Sequence, residues 1–465
     1  MKIRAQIIVV LGFLGILFVT LPLDGFAQQQ PKRDARKAKQ ALEQANRLYR
    51  QKNFPAAIES YSTAISFDPI NAEAFYWRGN AHQSIKQFEE AVTDLTKSLE
   101  LGYKALEVYR IRSYVNFDRK DFQAAVADAR EVINAEPNNV QAIRLSAEAS
   151  YELKNYDDAL ASYERLVTMT PADGNMYFLM ARIYAGKGDV QKQIAAAHNA
   201  IQRGTSFLAD AHILAAEGQV KLGSLQEAEA SYLKALASRP EMPDIYRILG
   251  EMYRSQSRFN DAIDITRKAL RIWTNDGDFY SDISWYYSLA GRHEDAIQAA
   301  QAGIRYKPNQ NLAYTNLCRA YNDVEKYELA MSACNSALRY KPEDGETYFY
   351  LARANDGLNR SAEATRLYKK AVTGLIEFTK LRPDYSDGFY LLGNAYFADS
   401  QAANAITAYK RSLELNPRFA RARYNLALVY IDGKEKVAAV EQHRLLAGLN
   451  PELAAKLKPE IDKLP

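Results

Sequence analysis

Apolar residues recur along most of this chain at i, i+3, i+4 and i+7, the spacing that lays one side of an α-helix against a core. The apolar stretches are short and their punctuation is regular. Pro69, Pro137, Pro171, Pro240, Pro308, Pro342, Pro383, Pro417 and Pro451 fall at 34-residue steps or near multiples of that step. Tyr103, Thr205 and Thr274 stand where the step asks for further prolines. One extra residue precedes Pro240 and seven precede Pro383, and with these allowed the phase closes over residues 36–451 as twelve units. Breakers such as Lys52-Asn53, Gly223-Ser224 and Ala290-Gly291 split their units in two. The pattern predicts two amphipathic helices per unit and no strands.

Small and aromatic residues keep the same phase. Ala57-x3-Tyr61-x2-Ala64-x4-Pro69 returns as Ala228-x3-Tyr232-x2-Ala235-x4-Pro240 and as Ala405-x3-Tyr409-x2-Ser412-x4-Pro417. The first half of a unit has its own mark, as in Leu249-Gly250-x2-Tyr253 and Leu392-Gly393-x2-Tyr396. Small residues at unit positions 8 and 20 let two helices approach closely, aromatics at 11, 17 and 24 fill the grooves, and proline at 32 stops the second helix. On these residues the chain resembles the tetratricopeptide repeat family over 36–451. The resemblance implies an all-α, right-handed α-solenoid of about twelve helix-turn-helix repeats, each stabilised by stacking on its neighbours. Residues 452–465, with Leu453, Leu457, Ile461 and Leu464 on helical spacing, supply a C-terminal cap, kinked or split at Pro459. The seven extra residues fall in 372–382 and lengthen a second helix, as a simple overhang or as a device in which Leu375, Ile376 and Phe378 re-aim the last repeats or dock a partner.

The N-terminus adds a compartment. Lys2 and Arg4 precede an apolar run from Ala5 to Leu23, and Gly25-Phe26-Ala27 forms a small-x-Ala cleavage site. Residues 1–27 therefore read as a secretory signal peptide and 28–35 as a polar leader. An uncleaved anchor is the competing reading, because the apolar run approaches the ~20 residues that span a bilayer. The expected location is exported, periplasmic or secreted, in a bacterium. The formal net charge of +4 on 465 residues gives no basic footprint for nucleic acid.

Candidate chemistry is sparse. The five histidines occupy unrelated unit positions, and no paired metal ligands or glycine-rich phosphate cradle occurs. No catalytic residue, metal, cofactor or small-molecule substrate is expected. The resemblance implies instead that unit positions 2, 5, 9, 12 and 13 face a concave groove that binds a protein or extended peptide. At positions 5 and 9 stand Tyr76, Arg110, Arg144, Arg182, Arg247, Trp285, Arg319, Arg353, Tyr390, Asn394 and Tyr424, with Asn316 at position 6. Arginine and large aromatics on such a wall suit an interface. Position 2 is mostly acidic, so Glu107/Arg110 and Asp244/Arg247 also read as ordinary i, i+3 pairs on a solvated face. A carboxylate clamp is incomplete, since Tyr390 stands where lysine is wanted. Three roles fit: an envelope adaptor, a membrane-tethered scaffold, and a holdase for unfolded chains.

The only two cysteines, Cys318 and Cys334, hold positions 8 and 24 of one unit. In an antiparallel hairpin these lie at the same level and both face inward, with Cα atoms roughly 4–5 Å apart. An exported chain would keep a disulfide there; the competing reading is two buried thiols.

Overall fold

The computed structural model describes residues 34–170 and 173–465. The signal-peptide reading of residues 1–27 and most of the leader lie outside the described residues. The described residues form 25 helices and no strand, α1 to α25 in chain order. Contacts divide the chain into two compact units between residues 171 and 172. The N-terminal unit holds four hairpins, α1 (Ala35–Arg50) to α8 (Tyr156–Met169). The C-terminal unit holds eight, beginning at α9 (Gly174–Lys187), and a final helix, α25 (Pro451–Asp462). Each unit is an α-solenoid in which successive helices pack on one another.

The two helices of a hairpin meet at alanine. Ala45 and Ala57, Ala147 and Ala159, Ala352 and Ala364, and Ala427 and Ala439 have no exposed surface. Where glycine replaces alanine, a large neighbour has moved in: a methyl on Gly393 would lie 2.6 Å from the Tyr409 ring. Behind this contact the position-24 tyrosines are anchored. Tyr61 donates to Asn46 Oδ1 at 2.7 Å, and Tyr409 donates to Asn394 Oδ1 at the same distance. The N-terminal unit adds a repeated ion pair, in which Arg78 grips Asp94 with two bonds of 2.6 and 2.7 Å and reaches Ser62 in the preceding hairpin. Arg112 does the same with Asp128 and Thr96 one repeat later.

The turns carry a second ruler. Between the two helices of every hairpin one residue adopts positive φ: Lys52, Lys86, Lys120, Lys154, Gly188, Gly223, Ser257, Gly291, Glu325, Asn359, Ser400 and Lys434. In each, the left-handed residue bonds back three residues and the next bonds back five, as Lys120 N to Phe117 O at 2.9 Å and Asp121 N to Asn116 O at 2.8 Å. This doubly bonded stop satisfies the last carbonyls of the first helix, and the next residue starts the second. Gly102 and Gly204, both left-handed, precede Tyr103 and Thr205 and turn the chain where proline is missing.

The long second helix is α20 (Ser361–Leu381), 21 residues against 14 in most others. Its extension is packed. Val372, Leu375 and Thr379 are buried, a methyl on Gly345 would strike Leu375 N at 2.5 Å, and the Phe378 ring lies against Gly388. Of the apolar residues of the extension, Leu381, 80% exposed, is the one that projects as an overhang would. The cap α25 is a single helix containing Pro459, so of the two readings, kinked or split there, the split is ruled out; Ala454, Leu457 and Ile461 are buried. Cys318 and Cys334 face each other with Cα atoms 5.2 Å apart, fully buried and joined by a disulfide.

Two outcomes follow from these turns and this bridge. Lysine in the left-handed region is strained relative to glycine, so Lys120→Gly should stabilise the N-terminal unit by about 0.5–1 kcal/mol, read from the urea midpoint. Protein taken from its native compartment and alkylated without reductant should carry no label at either cysteine, and reduction should cost about 3 kcal/mol in the chain-entropy account. Two labelled thiols would remove the bridge.

Candidate functional site

The first helices of the C-terminal unit place their side chains around one cavity of about 400 Å³. Its walls come from α13 (Pro243–Ser255), α15 (Gly277–Leu289), α17 (Asn311–Asp323), α19 (Gly345–Gly357), α21 (Ser386–Ala398) and α23 (Ala420–Asp432), with residues of the intervening second helices. Five of the residues expected at the groove line it: Trp285, Arg319, Arg353, Tyr390 and Asn394.

Two guanidiniums stand over the Trp285 ring, that of Arg254 4.5 Å and that of Arg319 5.6 Å from the ring centre. Arg319 is 7% exposed, donates from Nε to the Tyr350 hydroxyl at 2.8 Å and pairs with Glu346 through Nη2. Burial pushes the Glu346 carboxyl up in pKa against the pull of Arg319. Burial likewise raises the Tyr350 phenol to about 12. Arg353 is the looser member, 3.6 Å from Asp323 with 40% of its side chain exposed. Asn394 accepts from Tyr409 and from Asn425 at 2.8 Å, and Tyr390 rests on Phe419 with ring centres 4.9 Å apart.

The other candidates do not line this cavity. Tyr76, Arg110 and Arg144 belong to the N-terminal unit, where Tyr76 is buried against Trp77 and Tyr103. Arg110 bonds Glu136 at 2.9 Å more closely than its i, i+3 neighbour Glu107 at 3.5 Å. In the C-terminal unit, Arg182 stacks on Phe178 and Arg247 sits 4.4 Å over Phe279 among Asp244, Asp276 and Asp282. Asn316 is buried and donates to Ser281 O at 2.8 Å, and Tyr424 is half-buried in the core of the last hairpins. Two further position-2 acids are also occupied. Asp210 meets Arg239 and Asp278 meets Lys307, each at the end of the second helix of its own repeat.

Sequence reading missed the contacts that span the cavity. Arg254, at position 12, donates from Nη1 to Asp387 at 2.8 Å. Burial opposes its charge, but Asp387 and Glu251 more than offset that and raise its pKa. Arg421 donates to Leu289 O at 2.8 Å and lies 5.7 Å over the Phe259 ring, while Asn416 donates to Ser255 O at 3.3 Å. Signals existed, since Arg421 reverses the acidic habit of position 2 and Arg254 stands at position 12, which faces the groove. Their partners, more than a hundred residues away, left no periodic trace. The set can hold an apolar or aromatic group between rings and meet an acceptor with guanidinium donors. Among the described residues no cluster of three His, Cys, Asp or Glu side chains could hold a metal, and no helix is long and apolar enough to cross a membrane.

Comparison with known proteins follows the repeats. Residues 45–86 and 393–432 match a model described as TPR repeat, and residues 72–101, 116–183 and 213–277 match models described as tetratricopeptide repeat. A 49-residue stretch, 10% of this chain, is 47% identical to 3% of a UDP-N-acetylglucosamine–peptide N-acetylglucosaminyltransferase from Giardia intestinalis. Ninety residues, 18% of the chain, are 29% identical to 18% of DnaJ homolog subfamily C member 7 from Mus musculus. The chain thus spans less than a fifth of either relative. A solved tetratricopeptide repeat protein from Parabacteroides merdae aligns with 55% of this chain and 98% of its own, at 16% identity and a TM-score of 0.45.

Beside the cavity, burial and the nearby Glu251 charge push the Asp282 carboxyl up to about 7, against the pull of Arg247. The unfolded chain releases this proton near pH 4 and the folded chain near 7, so native stability falls across that window and is level above it. Asp282→Asn should remove that slope, gaining roughly 1–3 kcal/mol on the wild type between pH 4 and 8 once partial exposure is allowed for. Urea titrations at several pH values check it.

Proposed function

The chain is a multi-repeat tetratricopeptide protein, and we propose that it works as an exported, non-catalytic scaffold that seats a partner's peptide segment in the cavity of its C-terminal unit. Repeats of this kind are protein-interaction scaffolds. The observation that carries the finer reading is the convergence of Trp285, Arg319, Arg353, Tyr390 and Asn394 on one cavity of about 400 Å³. That size lies in the range of ~300–1,000 Å³ typical of small-ligand pockets, enough for a few side chains rather than a long threaded peptide.

The charge of the cavity narrows the segment. Arg254, Arg319 and Arg353 each face a carboxylate, Asp387, Glu346 and Asp323. Arg421 hydrogen-bonds a neutral carbonyl, that of Leu289. Arg421 is thus the lining guanidinium that faces no carboxylate, and it stands among aromatic walls, which fits a segment carrying an aromatic side chain beside an acidic one. Export is supported by Lys2, Arg4, the apolar run of 5–23 and the Gly25-Phe26-Ala27 site, and by two cysteines buried face to face in one hairpin.

A displayed peptide library panned on the intact chain tests the reading. Selected peptides should be rich in aromatic and acidic residues, and should crosslink to a photoreactive residue placed at Tyr390 but not at the exposed Leu381. Arg353→Glu should weaken them about tenfold or more, a loss of ~1.4 kcal/mol or greater. Peptides that bind this variant as well as wild type and crosslink equally from Leu381 would overturn it.

A further inference from the structure

The contacts that span the cavity differ in kind from those that build it. Within the C-terminal unit the solenoid is held by apolar clusters that pass from each hairpin to the next, from residues 216–320, through 300–408, to 405–461. Among the described residues, none of these clusters joins α13 and α15 directly to α21 and α23. What joins them is polar: the Arg254–Asp387 pair, Arg421 on the Leu289 carbonyl, and Asn416 on the Ser255 carbonyl, with Arg421 also lying over Phe259.

We propose that these contacts form a clasp that closes the arc of repeats over the cavity and must release for a segment to enter. The inference concerns entry to the site of the preceding section and rests on that reading for its purpose, although the clasp exists or fails without a ligand. Three physical arguments support it. Each clasp donor and acceptor can be given back to water when the arc widens, and the apolar surface uncovered is that of the rings beneath the clasp, Trp285 and Phe259. The clasp aside, the repeats between α15 and α21 pack on their neighbours, so a small rotation at each interface sums to a large movement at the ends of the arc. The Arg254–Asp387 pair is buried at 8% and 12% side-chain exposure, so it holds only while water is excluded and weakens once the arc parts.

Trp285 reports entry, because it lines the cavity beneath Arg254. The chain has three tryptophans, and replacing Trp77 and Trp273 by phenylalanine leaves this one as a probe. Acrylamide quenching of Trp285 should rise several-fold in Asp387→Asn and in Arg421→Gln, and further with salt, which screens the pair as soon as water reaches it. Arg421→Gln is the discriminating variant, since it cuts the clasp without touching the guanidinium stacked on Trp285. Spin labels carried by unnatural residues at the exposed positions 260 and 410 should show a second, longer distance in both variants. Circular dichroism and hydrogen exchange of the N-terminal unit control for folding. An unchanged distance distribution and unchanged quenching in both variants at low and high salt would overturn the clasp. Neither readout uses a peptide, so this result stands apart from the peptide-selection result.

Discussion

Everything in this fold depends on helices meeting where most carry no more than a methyl group. Alanine at the eighth and twentieth positions of a repeat brings two short helices into backbone contact, and the aromatic residues beside them fill the space that remains. A hairpin so made still shows apolar residues on both flanks, so it is stable only between neighbours. The exceptions show how firm the constraint is. Gln193 takes an alanine site in α10 (Val190–Gln202) fully buried, and satisfies its amide by donating to Leu214 O at 2.6 Å. Cys318 takes another, and is tied covalently to its own hairpin.

Stacking is also what makes a binding site out of a sequence with no chemical motif. Each repeat adds one or two side chains from its first helix, and curvature brings them together. Trp285, Arg319 and Arg353 are 34 residues apart in sequence and share one cavity wall. Most arginines are already engaged there, since a guanidinium taken from water needs a carboxylate, a phenol or a ring in return. Arg319 has all three in Glu346, Tyr350 and Trp285.

The period, the paired helices, the small residues and the inward-facing cysteines were legible because each rests on local spacing. The left-handed turns were only half legible. Gly223 and Gly291 announce themselves, but Lys86, Lys120 and Glu325 adopt the same φ with no residue preference to mark it, because the doubly bonded stop outweighs their strain. Pro459 suggested a kink or a split, and α25 runs through it unsplit, held by Ala454, Leu457 and Ile461 on one buried side. The groove candidates were chosen by position, and position alone cannot tell an arginine that faces a cavity from one spent on its own repeat. Arg182 and Arg353 both stand at position 9, yet Arg182 lies over Phe178 away from the cavity that Arg353 lines. Contacts between repeats far apart, such as Arg254 with Asp387, depend on the curvature of the whole arc and are written in no single repeat.

The long helix α20 has a meaning for how such a chain can change length. Its excess is seven residues, close to two turns, and a heptad rotates the helix face by only about 20°. Leu375 and Thr379 therefore continue the buried stripe begun by Leu367 and Ala371. An excess of two or five residues would swing that stripe toward water and turn a lysine inward. Insertions into these helices are thus filtered by angle before they are filtered by size, so lineages of such arrays should grow by whole repeats or by heptads, with other lengths confined to the turns.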